Sequence, residues 1–167
     1  RPIPRIGKKI FARAIDDVLG VAVMLEVLKN IQSGNRAPVD LYCCFTRAEE
    51  VGFIGAAALA RSGILPKSAL VISIEMSRAL PGRAVQGNGF VIRLGDRASM
   101  FDARLGEFMV RIARGMRSKR TPLSFQTALL DGGVCEGTLF NAMGYRAAGV
   151  ALRFTLSFDR SFPDGRH

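Results

Sequence analysis

The amino-acid sequence predicts an α/β domain with three layers, α/β/α, around a mixed, mostly parallel sheet. Three observations carry that expectation. Short apolar runs of strand length alternate with longer runs of helical period along most of the chain. Hydrophobic residues make up 49% of 167 positions, enough for one domain with its own core. Acidic residues stand where one kind of run hands over to the next.

Residues 1–13, with prolines at 2 and 4, read as an opening segment. Over residues 18–31 the apolar positions Val21, Val23, Met24, Leu25, Val27, Leu28 and Ile31 suit a largely buried helix, ended by Ser33-Gly34-Asn35. Residues 39–45 read as a buried strand. Residues 54–61 read as a helix closed by Ser62-Gly63, with Pro66 beyond. "ALVISI", residues 69–74, is a second strand, and residues 90–94 are a third. Residues 100–117 are amphipathic, with Phe101, Leu105, Phe108, Met109 and Ile112 on one helical face. Residues 123–130 hold a short strand, 137–143 a helix and 147–152 the last strand. The tail "RFTLSFDRSFPDGRH" loses both patterns. The expected organisation is therefore an opening segment at 1–13, a domain at 14–152 and an atypical tail at 153–167.

Composition excludes several function classes. No apolar run reaches the ~18–20 residues of a spanning helix, so no membrane partner is expected. The net charge is +10, with basic residues clustered at the start and between Arg104 and Arg120. No aromatic interleaving or nucleic-acid motif accompanies them, so they read as a solvated helix face and a basic end, with no nucleic acid expected. The three cysteines, Cys43, Cys44 and Cys135, form no CxxC pair and read as reduced thiols of a cytoplasmic protein. A serine-nucleophile elbow, a Walker loop and a dinucleotide fingerprint are all missing. Cys135, with no histidine near it in sequence, reads as a packed thiol.

The carboxylates are the informative feature. Asp16 and Asp17 open the first helix, Glu49 and Glu50 follow the strand ending near Phe45, and Glu75 follows "ALVISI". Asp131 precedes "GGVCEGT", which carries Glu136. Ligands bind open α/β sheets outside the carboxyl ends of the strands, so Glu49, Glu50 and Glu75 are expected to converge there. Each has an ordinary alternative. An aspartate at a helix start caps free N–H groups, and the glutamates suit a first turn or an exposed loop. Converging carboxylates, however, repel one another unless a cation or a shared proton compensates. Oxygen ligands suit a bound divalent metal, and paired metals suit hydrolysis.

"ARAIDDVLGVAVMLEVLK", "CCFTRAEEVGFIGA" and "ALVISIEMS" occur in the order and approximate spacing of the dinuclear zinc aminopeptidases. From about Ala12 to Leu152 the chain resembles the glutamyl-aminopeptidase-like group of the zinc exopeptidase clan, apparently as a fragment. The resemblance implies an incomplete catalytic domain of that fold, hydrolysing peptide bonds from the amino end. It implies two divalent metals, zinc first, with cobalt or manganese as substitutes. Residue by residue, Asp16 matches the metal-bridging aspartate, joined to Asp17 by a bond often cis in the family. Glu49 matches the general base, and Asp17 is counted with it as catalytic. Glu50 matches a terminal ligand of one metal, and Glu75 that of the other, where aspartate is more usual. The implied partners are a peptide substrate and, as in many relatives, further copies of the chain.

The sequence departs from the family at two places. The family's site also uses two histidines, one ahead of the Asp-Asp motif and one after the last strand. The chain starts too late for the first. Its only histidine, His167, is the final residue. A lost amino-terminal part and a tail replaced by a frameshift near Leu152 would give this pattern. Two competing expectations follow: a catalytically inactive or partner-binding remnant of the fold, and a basic nucleic-acid-binding module.

Overall fold

A computed structural model describes residues 5–6, 9–12, 14–34, 39–78, 84–85, 87–116 and 123–154. A two-residue hairpin, β1 (Arg5–Ile6) with β2 (Lys9–Ile10), comes first. The domain then runs α1 (Ile15–Gln32), α2 (Ile54–Arg61), β3 (Leu70–Arg78), β4 (Phe90–Asp96), α3 (Ala103–Gly115), β5 (Phe125–Leu130), α4 (Glu136–Ala142) and β6 (Arg146–Phe154). The main sheet has the order β3-β6-β4-β5. β3 lies parallel to β6, β6 antiparallel to β4, and β4 parallel to β5, giving the mixed, mostly parallel sheet expected.

Side chains alternate across a strand, so Val71, Ser73 and Glu75 share a face with Ala147, Gly149 and Ala151. That face meets α2 and α4, where Ala56, Ala60, Leu65, Phe140, Tyr145 and Ala147 form a buried cluster. The Tyr145 hydroxyl donates to the Ala60 and Leu65 carbonyls at 3.3 and 3.1 Å, so its buried oxygen is satisfied. α3 joins the same face and starts at Asp102, whose carboxylate accepts from the Leu105 amide at 2.7 Å. α1 packs against β3, and its Leu19 lines a cleft with Phe90 and Leu152 on the other face. The three layers are thus helices α2–α4, the sheet, and α1.

The structure corrects four local expectations. Residues 39–45 form no strand, and Leu41, Tyr42 and Phe45 are exposed, because their backbone finds no ladder partner among the described residues. The helix expected over 18–31 is present but not buried. Gly20 is its buried residue, while Val18, Val21, Val23, Leu25 and Val27 are exposed, since among the described residues β3 is the main element packed against this helix. Phe101 lies just ahead of α3, and Phe108 and Ile112 are exposed while Leu105, Gly106 and Ala113 are buried, so α3 meets the sheet along a narrower stripe. Glu75 lies within β3 and not after it, because pairing with β6 extends the strand to Arg78. Among the described residues no helix is long and apolar enough to cross a membrane.

Candidate functional site

α1 opens irregularly. Asp16 and Asp17 have non-helical backbone angles, and the peptide bond between them is cis, as the resemblance implied. The Asp17 carboxylate accepts a hydrogen bond from the Gly20 amide at 3.1 Å and so caps the regular part of the helix. The backbone of Met76 lowers the Asp16 pKa, and α1 packs against β3, so the start of α1 lies beside the carboxyl half of β3.

Glu49 and Glu50 sit in a tight turn ahead of α2. The Glu49 carbonyl accepts from the amides of Gly52 and Phe53 at 3.1 and 3.0 Å, and the Gly55 amide donates to the Arg47 carbonyl at 2.9 Å. A Cβ at position 55 would lie 2.5 Å from the Arg47 nitrogen, so the turn closes only because residue 55 is glycine. The spacing Glu-Glu-x-Gly-x-x-Gly therefore presents two adjacent carboxylates on a turn fixed by its own backbone.

These two segments meet. Asp16 has its pKa raised by desolvation first and by the Glu50 charge next. Asp17 is pushed up to about 6 by desolvation, with the charges of Asp16 and Glu136 adding to it, against the lowering bond from Gly20. Glu49 is raised by desolvation, then by Glu50, Glu136, Asp16 and Asp17. The group is thus a set of repelling carboxylates with no cation paired to them among the described residues.

Glu136 belongs to this group, although sequence reasoning noted it without assigning it a role. Its carboxylate accepts a hydrogen bond from the Thr46 hydroxyl, linking the first turn of α4 to the segment ahead of Glu49. The signal that could have found it is its place at the start of a helix just past the carboxyl end of β5. Glu75 is placed differently. Its carboxylate pairs with the Arg93 guanidinium and accepts from the Ser77 hydroxyl at 3.0 Å. Among the described residues, no three His, Cys, Asp or Glu side chains are drawn together closely enough to hold a metal ion. His167 and residues 155–167 of the tail lie outside the described residues, while Arg153 and Phe154 continue β6.

A second acidic node lies at the end of β4. Asp96 accepts from the Ala98, Ser99 and Cys135 amides at 2.8, 3.0 and 3.0 Å and from the Thr138 hydroxyl. Burial alone would raise its pKa. The bonds from Thr138, Ala98, Cys135 and Ser99 together outweigh that and hold it below the ordinary carboxylate value.

With this geometry in place, the likeness to known proteins can be weighed. The model of the M42 glutamyl aminopeptidase family matches residues 2–152. A TET aminopeptidase from the marine sediment archaeon Thaumarchaeota archaeon SCGC AB-539-E09 is 23% identical, superposes with a TM-score of 0.77, and shares 92% of this chain and 45% of its own. Aminopeptidase APDkam598 from the archaeon Desulfurococcus kamchatkensis is 31% identical with a TM-score of 0.73, over 92% of this chain and 44% of its own. The TET1 peptidase of Pyrococcus horikoshii, which can assemble into a tetrahedron or a large octahedral shell, is 22% identical with a TM-score of 0.69, over 87% of this chain and 42% of its own. A curated protein of Acetivibrio thermocellus is 26% identical over 131 residues, and the chain spans 37% of it. The chain therefore spans less than half the length of these relatives.

Proposed function

We propose that this chain, which belongs to the M42 glutamyl aminopeptidase family, carries part of a metal-dependent aminopeptidase centre built on Asp16, Asp17, Glu49 and Glu50. The observation that carries the reading is the convergence of carboxylates where the start of α1 meets the turn before α2, with Asp16, Asp17 and Glu49 raised in pKa by desolvation first and by neighbouring carboxylates next. A divalent cation drawn between these carboxylates would relieve their repulsion. Metal dependence is general in this family. Zinc is the proposed ion, with cobalt or manganese as substitutes, because carboxylate oxygens serve all three.

Asp16 and Glu50 would hold the ion. What it supplies when bound is Lewis acidity toward a peptide carbonyl and toward water. Glu49 is the general base: its raised pKa suits it to take a proton from the attacking water and return it to the leaving amine. Asp17 positions Asp16 by fixing the first turn of α1 through Gly20. Glu136, held by Thr46, adds negative charge beside Glu49 and supports its proton affinity. A peptide substrate with a free amino end is the proposed partner, since an ammonium group suits a net negative site. A homo-oligomer is proposed as well, in the manner of the assembling TET1 peptidase.

The test is hydrolysis of aminoacyl-nitroanilides by the purified chain with zinc, cobalt or manganese, beside Glu49→Gln. Metal-dependent release that Glu49→Gln abolishes supports the reading. No release with any metal favours the inactive or partner-binding remnant.

A further inference from the structure

Glu75 and Arg93 stand on β3 and β4, the two strands that flank β6. Arg93 is opposite Gly149 of β6, and Glu75 is opposite Ala151 of the same strand. All four residues share one face of the sheet, so the arginine must cross β6 to reach the glutamate. The residues it crosses are small. A Cβ at position 149 would sit 3.1 Å from the Arg93 Cδ and 3.1 Å from the Phe101 ring, a contact tight enough to push either aside. The guanidinium lies 5.8 Å from the centre of that ring, donates to the Leu130 carbonyl at 3.3 Å, and reaches the Glu75 carboxylate. Ser77 donates to the same carboxylate oxygen.

The pair is deeply placed: the arginine side chain is 3% exposed and the glutamate 18%. A cation so far from water is held by the charge it faces, and removing either partner strands the other. The contrast with the neighbouring carboxylates is direct. Asp16, Asp17 and Glu49 face desolvation and the charges of neighbouring carboxylates, whereas Glu75 already has its counter-charge within the fold. We propose that Arg93 is the resident cation of Glu75 and supplies the positive charge a second metal ion would otherwise bring, so that a centre built on Asp16 and Glu50 holds one ion. The proposal rests on the carboxylate group being a metal centre, but the ion pair is tested apart from it.

The experiment has two arms. In the first, the chain is stripped with chelator and titrated with zinc or manganese, beside Glu75→Gln and Glu50→Gln. Expected are about one ion per chain, Glu75→Gln within about twofold of wild type, and Glu50→Gln weakened by about tenfold or more. A loss with Glu75→Gln as large as with Glu50→Gln, or a second ion lost in Glu75→Gln, overturns the proposal. In the second arm, metal-free wild type, Glu75→Gln, Arg93→Met and the double variant are melted. Arg93→Met should lower the melting temperature most, and Glu75→Gln in the same chain should restore part of the loss. Arg93→Met that fails to fold while the double variant folds is the same result in stronger form; additive losses overturn the pair. Wild type that binds no metal at all refutes the metal centre, and the melting arm still decides the role of Arg93.

Discussion

Asp96 and the Asp16, Asp17, Glu49 and Glu50 group are both acidic sites of one small α/β domain, yet their surroundings treat negative charge in opposite ways. Asp96 is 5% exposed and is met by three backbone amides and a hydroxyl. Its charge is more stable folded than unfolded. The other group keeps more water, and its members mainly face one another. The charges of Asp16, Asp17 and Glu49 are less stable folded than unfolded. A saturated carboxylate is a structural clip, here joining the end of β4 to the start of α4. A carboxylate whose neighbours raise its pKa is available for a proton or a cation, which is what a catalytic site requires.

The largest effect that sharpens this comparison is on activity. Glu49→Gln should lower metal-dependent hydrolysis by about 10²–10⁴-fold while the bound metal stays unchanged, as steady-state rates and metal analysis would show. Equal activity in the variant would move Glu49 out of the site.

Next comes stability. Asp96→Ala leaves buried amides without an acceptor and should cost about 3 kcal/mol in urea unfolding. A cost no greater than that of an exposed substitution would make Asp96 as dispensable to the fold as the unpaired group.

The two sites should also answer pH with opposite sign. A raised carboxylate pKa gives stability that is full below the unfolded value and is lost as pH rises through the folded one. For Asp17 the window runs from 3.8 to about 6. Asp96, lowered from 3.8, gives stability present above that value and lost as pH falls through its lower folded pKa. The metal-free chain should therefore lose stability from pH 4 to pH 6, and saturating zinc should flatten that decline. A stability rising across this window in the metal-free chain would show that the carboxylates do not repel one another. The smallest effect is Glu50→Gln without metal, which should stabilise the chain at neutral pH by roughly 0.5 kcal/mol through relief of like charge.

The comparison also shows what can be read along a chain. Asp16, Asp17, Glu49 and Glu50 were legible because two local patterns, Asp-Asp at a helix start and Glu-Glu-x-Gly before a small-residue helix, fix their own backbone. Glu136 and Arg93 were not. Glu136 joins the group through Thr46, ninety positions away in sequence. Arg93 is a charged residue inside a mostly apolar strand, and its purpose depends on which strand lies between it and Glu75. Residues 39–45 and α1 were misjudged for burial because an apolar pattern states a need for cover and not what supplies it. The chain spans less than half of its relatives' length, and here that cover is not provided among the described residues.

The sequence by itself determined the alternation of strands and helices, the turn chemistry and the acidic pairs, because these depend on periodicity, on small residues where backbone crowds, and on contacts a few residues apart. Only the tertiary structure decided that β6 lies between β3 and β4. That order lets Arg93 cross Gly149 to neutralise Glu75, and the meeting of α1 with the turn before α2 gives Asp16, Asp17 and Glu49 no such partner among the described residues. Charge compensation is a through-space property, set by which strands are neighbours.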